Sequence, residues 1–295
     1  MSTEHNVKCE FNAPECKLLS LIKDRDVLIF RSGVNISRSV LESGNQLKLI
    51  IRAGSGVDNI DLGAVNDLNL QLVRIPQPGA KAVAELTFAL MLALSRELIR
   101  ADISTRGGEW LKYQLTGYLL TGKVLGIIGV GNIGSRVGYL GSSWGMDVIG
   151  YDIIDTQDFR NEVLKKGVKL VEFEEVLSRA DYLSLHVPLS QETKNLIDVK
   201  ELATMKPGSY LINIARGGIV NEQALYHELT IDNRLRGAGL DVHEHEGEGI
   251  ISPLADLPNV VLTPHIGAMT IDSQKEIGSI ILSAINEFRR SSQPN

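Results

Sequence analysis

The sequence predicts an α/β protein in two parts, a doubly wound parallel sheet and a second, smaller α/β domain. Three observations predict it. From residue 123 onward, short apolar runs alternate with helix-like segments, the pattern of parallel strands joined by crossover helices. One junction in that run is a G-x-G-x-x-G turn at 129–134. The chain has 295 residues, enough for two domains.

The stretch 122–152, GKVLGIIGVGNIGSRVGYLGSSWGMDVIGYD, organises the rest. An apolar run at 124–128 has the length and branching of a buried strand. Gly129, Gly131 and Gly134 follow, then a helix-like segment at 132–144, a second apolar run at 148–151, and Asp152. Each part has a chemical use. The first glycine allows a tight turn, the second lets backbone approach a pyrophosphate, and the third lets helix pack close to strand. The helix N-terminus attracts phosphate charge, and a carboxylate at 152 accepts hydrogen bonds from a ribose. A glycine-rich turn alone is weak evidence. Strand, turn, helix, strand and acid together point to dinucleotide binding. Asp155 adds a like charge and no arginine closely follows Asp152, so NAD is expected over NADP.

Taken in order, residues 1–22 open polar, with a first plausible strand at 6–11 and a helix around 16–23. Strands are expected at 27–30, 47–51 and 70–75, and a helix at 37–42. Pro76, Pro78 and Gly79 then break the chain and mark a domain boundary. Residues 80–100 read as one long helix whose centre, AVAELTFALMLALS, is apolar nearly all round and must be covered on most sides. A second copy of the chain could cover it, or it could be a central core helix. Residues 104–121, with Trp110, Tyr113 and Tyr118, read as an excursion. Beyond Asp152, strands are expected at 168–171, 182–187, 209–214, 239–242 and 260–262, with helices near 174–179, 200–204 and 222–229. An amphipathic helix at 272–290 is expected to return to the first domain. The domains are then 1–78 with 270–295, and 79–269.

Composition narrows the function classes. Hydrophobic residues make up 43% and charged residues 22%, ordinary for a globular chain with sizeable cores. A net charge of −6 argues against a nucleic-acid-binding surface. The longest strongly apolar run, 86–94, falls short of the ~20 residues of a membrane span. Residues 1–11 lack the apolar core of a secretory signal. Cys9 and Cys16, the only cysteines, read as thiols of a reducing cytosol, so the expected location is cytoplasmic.

In an open parallel sheet, ligands bind beyond the carboxyl ends of the strands. Three polar groups lie just past such ends. Arg216, in NIARGG (213–218), is a fixed cation able to grip a carboxylate with two parallel hydrogen bonds; the plainer alternative is a surface arginine at a sheet edge. Glu246 lies in DVHEHEG (241–247). His243 and His245 could reach a cation there, but no second ligand cluster accompanies them, so no metal is expected and a solvated acidic loop is the alternative. His265, in TPHIGA (263–268), could take a proton near pH 7, and a carboxylate beside it would orient it and favour its charged form. A lone histidine in a sheet is more often structural. The Tyr-x-x-x-Lys of short-chain dehydrogenases is absent.

The motifs RAGSGVDNID (52–61), AVAELT (82–87), GVGNIG (129–134), NIARGGIV (213–220), LDV (240–242) and PHIGA (264–268) occur in one order across 27–290. In them the chain resembles the D-isomer-specific 2-hydroxyacid dehydrogenases, most closely their phosphoglycerate dehydrogenase branch. The resemblance implies a flavodoxin-like smaller domain and reversible oxidation of a small D-2-hydroxy acid by NAD. It implies the catalytic set Arg216, Glu246 and His265. It implies cofactor contacts at Gly129, Gly131, Asn132, Ile133, Gly134, Asp152, Val187, Ile214, Arg216, Asp241, His265 and Ala268. The substrate is expected on Arg52, Ser55, Gly56, Val57 and Arg216, and the assembly is expected to be a homodimer. A dehydrogenase-like regulatory protein that binds NAD without turnover is the alternative.

The sequence departs from the family pattern at four places. Gly247 stands where a proline usually follows the glutamate, His243 where an aromatic is usual, and Arg74 where an asparagine is usual. The family's opening strand and helix have no counterpart before residue 6. Unpaired strand edges must then be satisfied otherwise, and a smaller domain of about four parallel strands is expected. No appended C-terminal regulatory domain is expected.

Overall fold

A computed structural model describes residues 5–54 and 56–291. The chain forms two compact units, 1–79 with 268–295 and 80–267.

The smaller unit is built on β1 (Val27–Phe30), β2 (Leu49–Arg52) and β3 (Gln71–Arg74), parallel and in that order across the sheet. Strand alternation sorts its core into two layers. Ile50 packs with Val40, Leu41, Ala64 and Val65 from the helices Arg38–Ser43 and Leu62–Asp67. Leu49 and Ile51 pack instead with Ile277, Ile281 and Ile285, spaced at one helical turn along Ile271–Ser291. Both faces of β2 are thus covered, which is why residues 49–51 read apolar without alternation. The two short helices are started by side-chain caps: Ser37 and Asp61 accept from the amides of Val40 and Ala64 at 3.3 and 2.7 Å. The helix Leu62–Asp67 has six residues, too few for a periodic signal, and escapes sequence reading.

Residues 6–11 are irregular and largely exposed rather than a strand, so among the described residues this sheet has three strands and not four. An extended segment keeps its strand form through a neighbour that takes its N–H and C=O groups, and none of the three strands pairs with 6–11.

The larger unit holds seven parallel strands: β4 (Val124–Ile128), β5 (Asp147–Tyr151), β6 (Lys169–Leu170), β7 (Tyr182–Leu185), β8 (Tyr210–Asn213), β9 (Gly237–Leu240) and β10 (Val260–Leu262). Their order is β10-β9-β8-β7-β4-β5-β6. The order in which strands are added therefore reverses between β4 and β7, the place where such sheets bind ligands. One face is filled by Leu183, Leu185, Leu211 and Leu240 against Val176, Leu177, Leu202 and Leu225 from the crossover helices. A helix not expected from sequence, Gln157–Leu164, joins β5 to β6.

The expected long helix at 80–100 is two, Gln77–Ser95 and Leu98–Arg106, separated where Glu97 turns left-handed at φ 48°. The first begins at Gln77, so Pro78 sits in its first turn, where a missing N–H removes no helical bond. Its length and mean hydropathy of 1.2 would suffice to cross a membrane, but 61% of it is buried within the fold. The larger unit itself does the covering. A Cβ placed on Gly239 of β9 would lie 3.1 Å from Leu90, the Phe88 ring packs tilted against Trp144 at 5.4 Å between centres, and Ser95 Oγ lies 2.7 Å from Tyr182 Oη. Of the two explanations for this apolar helix, the central core helix holds. The excursion that follows is tied back by Tyr118, whose amide donates to Ser95 O at 2.9 Å and whose ring lies 4.2 Å from the Arg236 guanidinium.

Candidate active site

The dinucleotide turn leaves β4 at the reversal point. Gly134 opens the helix Gly134–Ser143, and a Cβ there would overlap the carbonyl oxygen of Gly129. A Cβ on Gly131 would meet nothing within 4 Å, so this side of the turn is open to a ligand. Asn132 is exposed and Ile133 immediately precedes the helix. Val187, just past β7, lies 2.9 Å from where a Gly129 Cβ would stand. Beside it, burial pushes His186 down to about 3, so its imidazole is neutral, and its Nε2 meets Ser184 Oγ at 2.8 Å.

Asp152 follows β5 and ties two turns together. One carboxylate oxygen accepts from Val130 N at 2.7 Å and the other from Ile154 N at 3.0 Å. Each oxygen keeps a second lone pair for a ribose hydroxyl. A cavity of about 220 Å³ lies against Asp152, bordered by Tyr151, Ile153, Asp155 and Arg160. An open turn, a helix N-terminus and an anchored acid beside a cavity fit a dinucleotide.

On the other arm of the sheet, β8, β9 and β10 are neighbours, and the segments after them carry Arg216, Glu246 and His265. Each is held by local bonds. Buried Asn213 accepts from Ala215 N at 3.1 Å and donates to Arg216 O at 2.9 Å, closing the turn that presents Arg216. Arg216 Nη1 donates to Ala215 O at 2.8 Å. Glu246 accepts from His243 N at 3.1 Å through one oxygen and faces His265 Nδ1 at 2.8 Å through the other. Burial works to raise the Glu246 carboxyl. The hydrogen bond from His265, the charge of that ring and the His243 amide outweigh it and hold Glu246 below the usual carboxylate range.

Two buried carboxylates, whose positioning tasks do not show in the sequence, fix this pair. Asp241, 1% exposed, accepts from Thr263 Oγ1 at 2.6 Å, Ile266 N at 2.8 Å and Gly267 N at 2.7 Å. These bonds hold the turn in which His265 adopts φ 55°, a left-handed conformation that costs a non-glycine residue about 1–2 kcal/mol. Ile214 packs against the same turn, 3.4 Å from a Gly267 Cβ position. Glu222, 4% exposed, accepts from Glu244 N at 2.7 Å, while its own N–H donates to Glu244 Oε1 at 3.0 Å. That reciprocal pair clamps the loop carrying Glu246 to the start of the helix Glu222–His227. His243 Nε2 meets Thr263 O at 3.0 Å, so this histidine ties two loops together.

Of the expected substrate residues, Arg216 belongs to the larger unit, and Arg52, Gly56 and Val57 lie in the smaller one. Arg52 ends β2, 4% exposed, with its guanidinium 5.5 Å from the Phe30 ring centre. Val57 packs on that unit's own core and Gly56 is partly exposed. Ser55 lies outside the described residues, and Ala268 belongs to the smaller unit.

Residues 88–267, more than half of the chain, match the family described as D-isomer specific 2-hydroxyacid dehydrogenase, NAD binding domain. The chain is 42% identical over 275 residues to D-3-phosphoglycerate dehydrogenase of Methanocaldococcus jannaschii, covering 93% of this chain and 52% of that one. It thus spans about half the length of that relative, and the same holds for other D-3-phosphoglycerate dehydrogenases. It is 38% identical to hydroxypyruvate reductase of Thermotoga maritima, covering 91% of this chain and 86% of the other. Among solved structures, D-lactate dehydrogenase from Aquifex aeolicus, complexed with NAD and lactic acid, superposes with a TM-score of 0.83 at 31% identity, covering 92% and 85%.

Proposed function

The chain belongs to the D-isomer-specific 2-hydroxyacid dehydrogenase family, and from that membership we propose that it reversibly oxidises a small D-2-hydroxy acid with NAD. The observation that carries this reading is the Glu246–His265 pair on strand ends adjacent to the Arg216 turn. When bound, NAD supplies the hydride acceptor. His265 Nδ1 is engaged by Glu246, which leaves Nε2 to take the hydroxyl proton as hydride leaves the same carbon. Glu246, held ionised, keeps the ring oriented and stabilises the imidazolium that results. Arg216 grips the carboxylate and polarises the forming carbonyl. In the smaller unit, the backbone amides of 52–57 are proposed to bind a carboxylate.

Relatives named D-3-phosphoglycerate dehydrogenase and hydroxypyruvate reductase both match, so the acid itself is open. A panel with NAD and NADH, including 3-phosphoglycerate, hydroxypyruvate, glyoxylate and both lactate enantiomers, should show turnover on at least one D-acid or its 2-oxo partner. Retained NADH binding with no turnover on any member would overturn the enzymatic reading in favour of an NAD-binding regulator.

We also propose a homodimer, carried by the excursion rather than by the helix Gln77–Ser95, which its own unit already buries. Trp110 is 80% exposed and Tyr113 88%, and Leu98, Ile99, Ile103 and Leu119 are exposed nearby in sequence. So many exposed apolar side chains in one segment mark an interaction surface. Sedimentation at micromolar concentration should report a dimer, and Trp110→Asp should shift it toward monomer. A wild-type monomer would be the contrary result.

A further inference from the structure

The cavity beside Asp152 contains a feature that bears on cofactor choice. Arg160 is the one cation among its lining residues, which also include Asp152, Asp155 and Glu172. Thr156 caps the helix Gln157–Leu164 by accepting from Phe159 N at 3.3 Å, and the first turn carries Arg160 back toward Asp155. There three of its five N–H groups are engaged, two of them by the Asp155 carboxylate. Nε pairs with one Asp155 oxygen, Nη2 donates to the other, and Nη1 donates to Leu170 O at 3.2 Å. A guanidinium fork is the group best suited to a phosphate, and here a neighbouring carboxylate occupies it in the same two-pronged geometry.

We propose that Asp155 is a specificity-determining residue for the cofactor, because it holds Arg160 away from a 2′-phosphate and keeps the cavity wall net negative. The proposal rests on the reading of Asp152 as the ribose acid. A 2′-hydroxyl can donate to Asp152 and is indifferent to Arg160. A 2′-phosphate brings negative charge toward Asp152, Asp155 and Glu172, and the one group able to neutralise it is already paired. Discrimination against NADP is thus shared between repulsion by Asp152 and sequestration of Arg160 by Asp155.

Fluorescence or calorimetric titration of the whole chain with NAD and NADP tests this without an activity readout. Asp155→Asn should tighten NADP binding about tenfold while NAD affinity changes by less than about twofold. Adding Arg160→Ala to that variant should return NADP affinity to the wild-type value. Unchanged NADP affinity in Asp155→Asn, or a gain that survives Arg160→Ala, overturns the proposal. Asp152→Ala separates this from the underlying reading. Weakened NAD binding there beside a silent Asp155→Asn sinks the role of Asp155 alone. Unchanged NAD binding in Asp152→Ala removes the ribose assignment, and the proposal with it.

Discussion

His265→Ala should lower kcat by about 10²–10⁴-fold, the usual worth of a positioned general base, and leave NADH binding nearly intact. The prediction follows from where the ring's bonds go. Nδ1 faces Glu246, and the backbone N–H donates to Asp241 O at 2.7 Å, so the turn stays in place when the imidazole is removed. The dinucleotide turn after β4 is built from other residues. Comparing kcat with the dissociation constant for NADH checks both halves, and an alanine variant with full turnover would remove His265 from the mechanism. Glu246→Gln should lower the rate less, because the amide still reaches Nδ1 but brings no charge to oppose the one the ring gains in the step. In the wild type, Glu246 is held below the ordinary carboxylate range in the folded state. Its contribution to stability is therefore complete above the unfolded carboxylate value, and it is lost as pH falls through the depressed folded one.

Gly217→Ala is expected to lower thermal stability and turnover together. A Cβ at this position would overlap the carbonyl oxygen and carbon of His243, and both sides of that contact are backbone, so no side-chain rotation relieves it. The two segments forced apart carry Arg216 on one side and Glu246 on the other. Overpacking of this kind costs about 1–3 kcal/mol. That corresponds to a drop in melting temperature of several degrees for a unit of this size. The Glu222–Glu244 clamp holds the same two segments, its Glu244 amide only 3.1 Å from the added Cβ, and resists their separation, which concentrates the strain at the site. Gly278→Ala, in the helix Ile271–Ser291 with nothing within 4 Å of the added Cβ, is the matched control and should be neutral or slightly stabilising. Equal melting temperatures and activities for the two variants would show that the contact at Gly217 is not tight.

The sequence by itself determined the local features. The glycine turn and Asp152 are short-range patterns whose meaning lies in spacing, and β4, β5 and β7 to β10 announce themselves as apolar runs near the lengths found. The placement of Arg216, Glu246 and His265 just past three strands was legible for the same reason. Periodicity reports which residues are buried, however, and not what buries them. That the helix Gln77–Ser95 is covered by its own sheet, and that residues 6–11 form no strand, depended on which neighbours exist in space. The strand order that sets β8, β9 and β10 side by side was equally invisible, since hydrogen bonding between strands joins residues far apart in sequence. The same holds for the groups that hold the site in place. Glu222 on the Glu246 loop and Arg160 on Asp155 are ordinary charged residues in the linear chain, and Asp241, expected at the cofactor, gave no sign of its hold on the His265 turn. Only the tertiary fold gives them their partners, because a carboxylate or guanidinium acquires its role from the donor or acceptor it meets once both have left water.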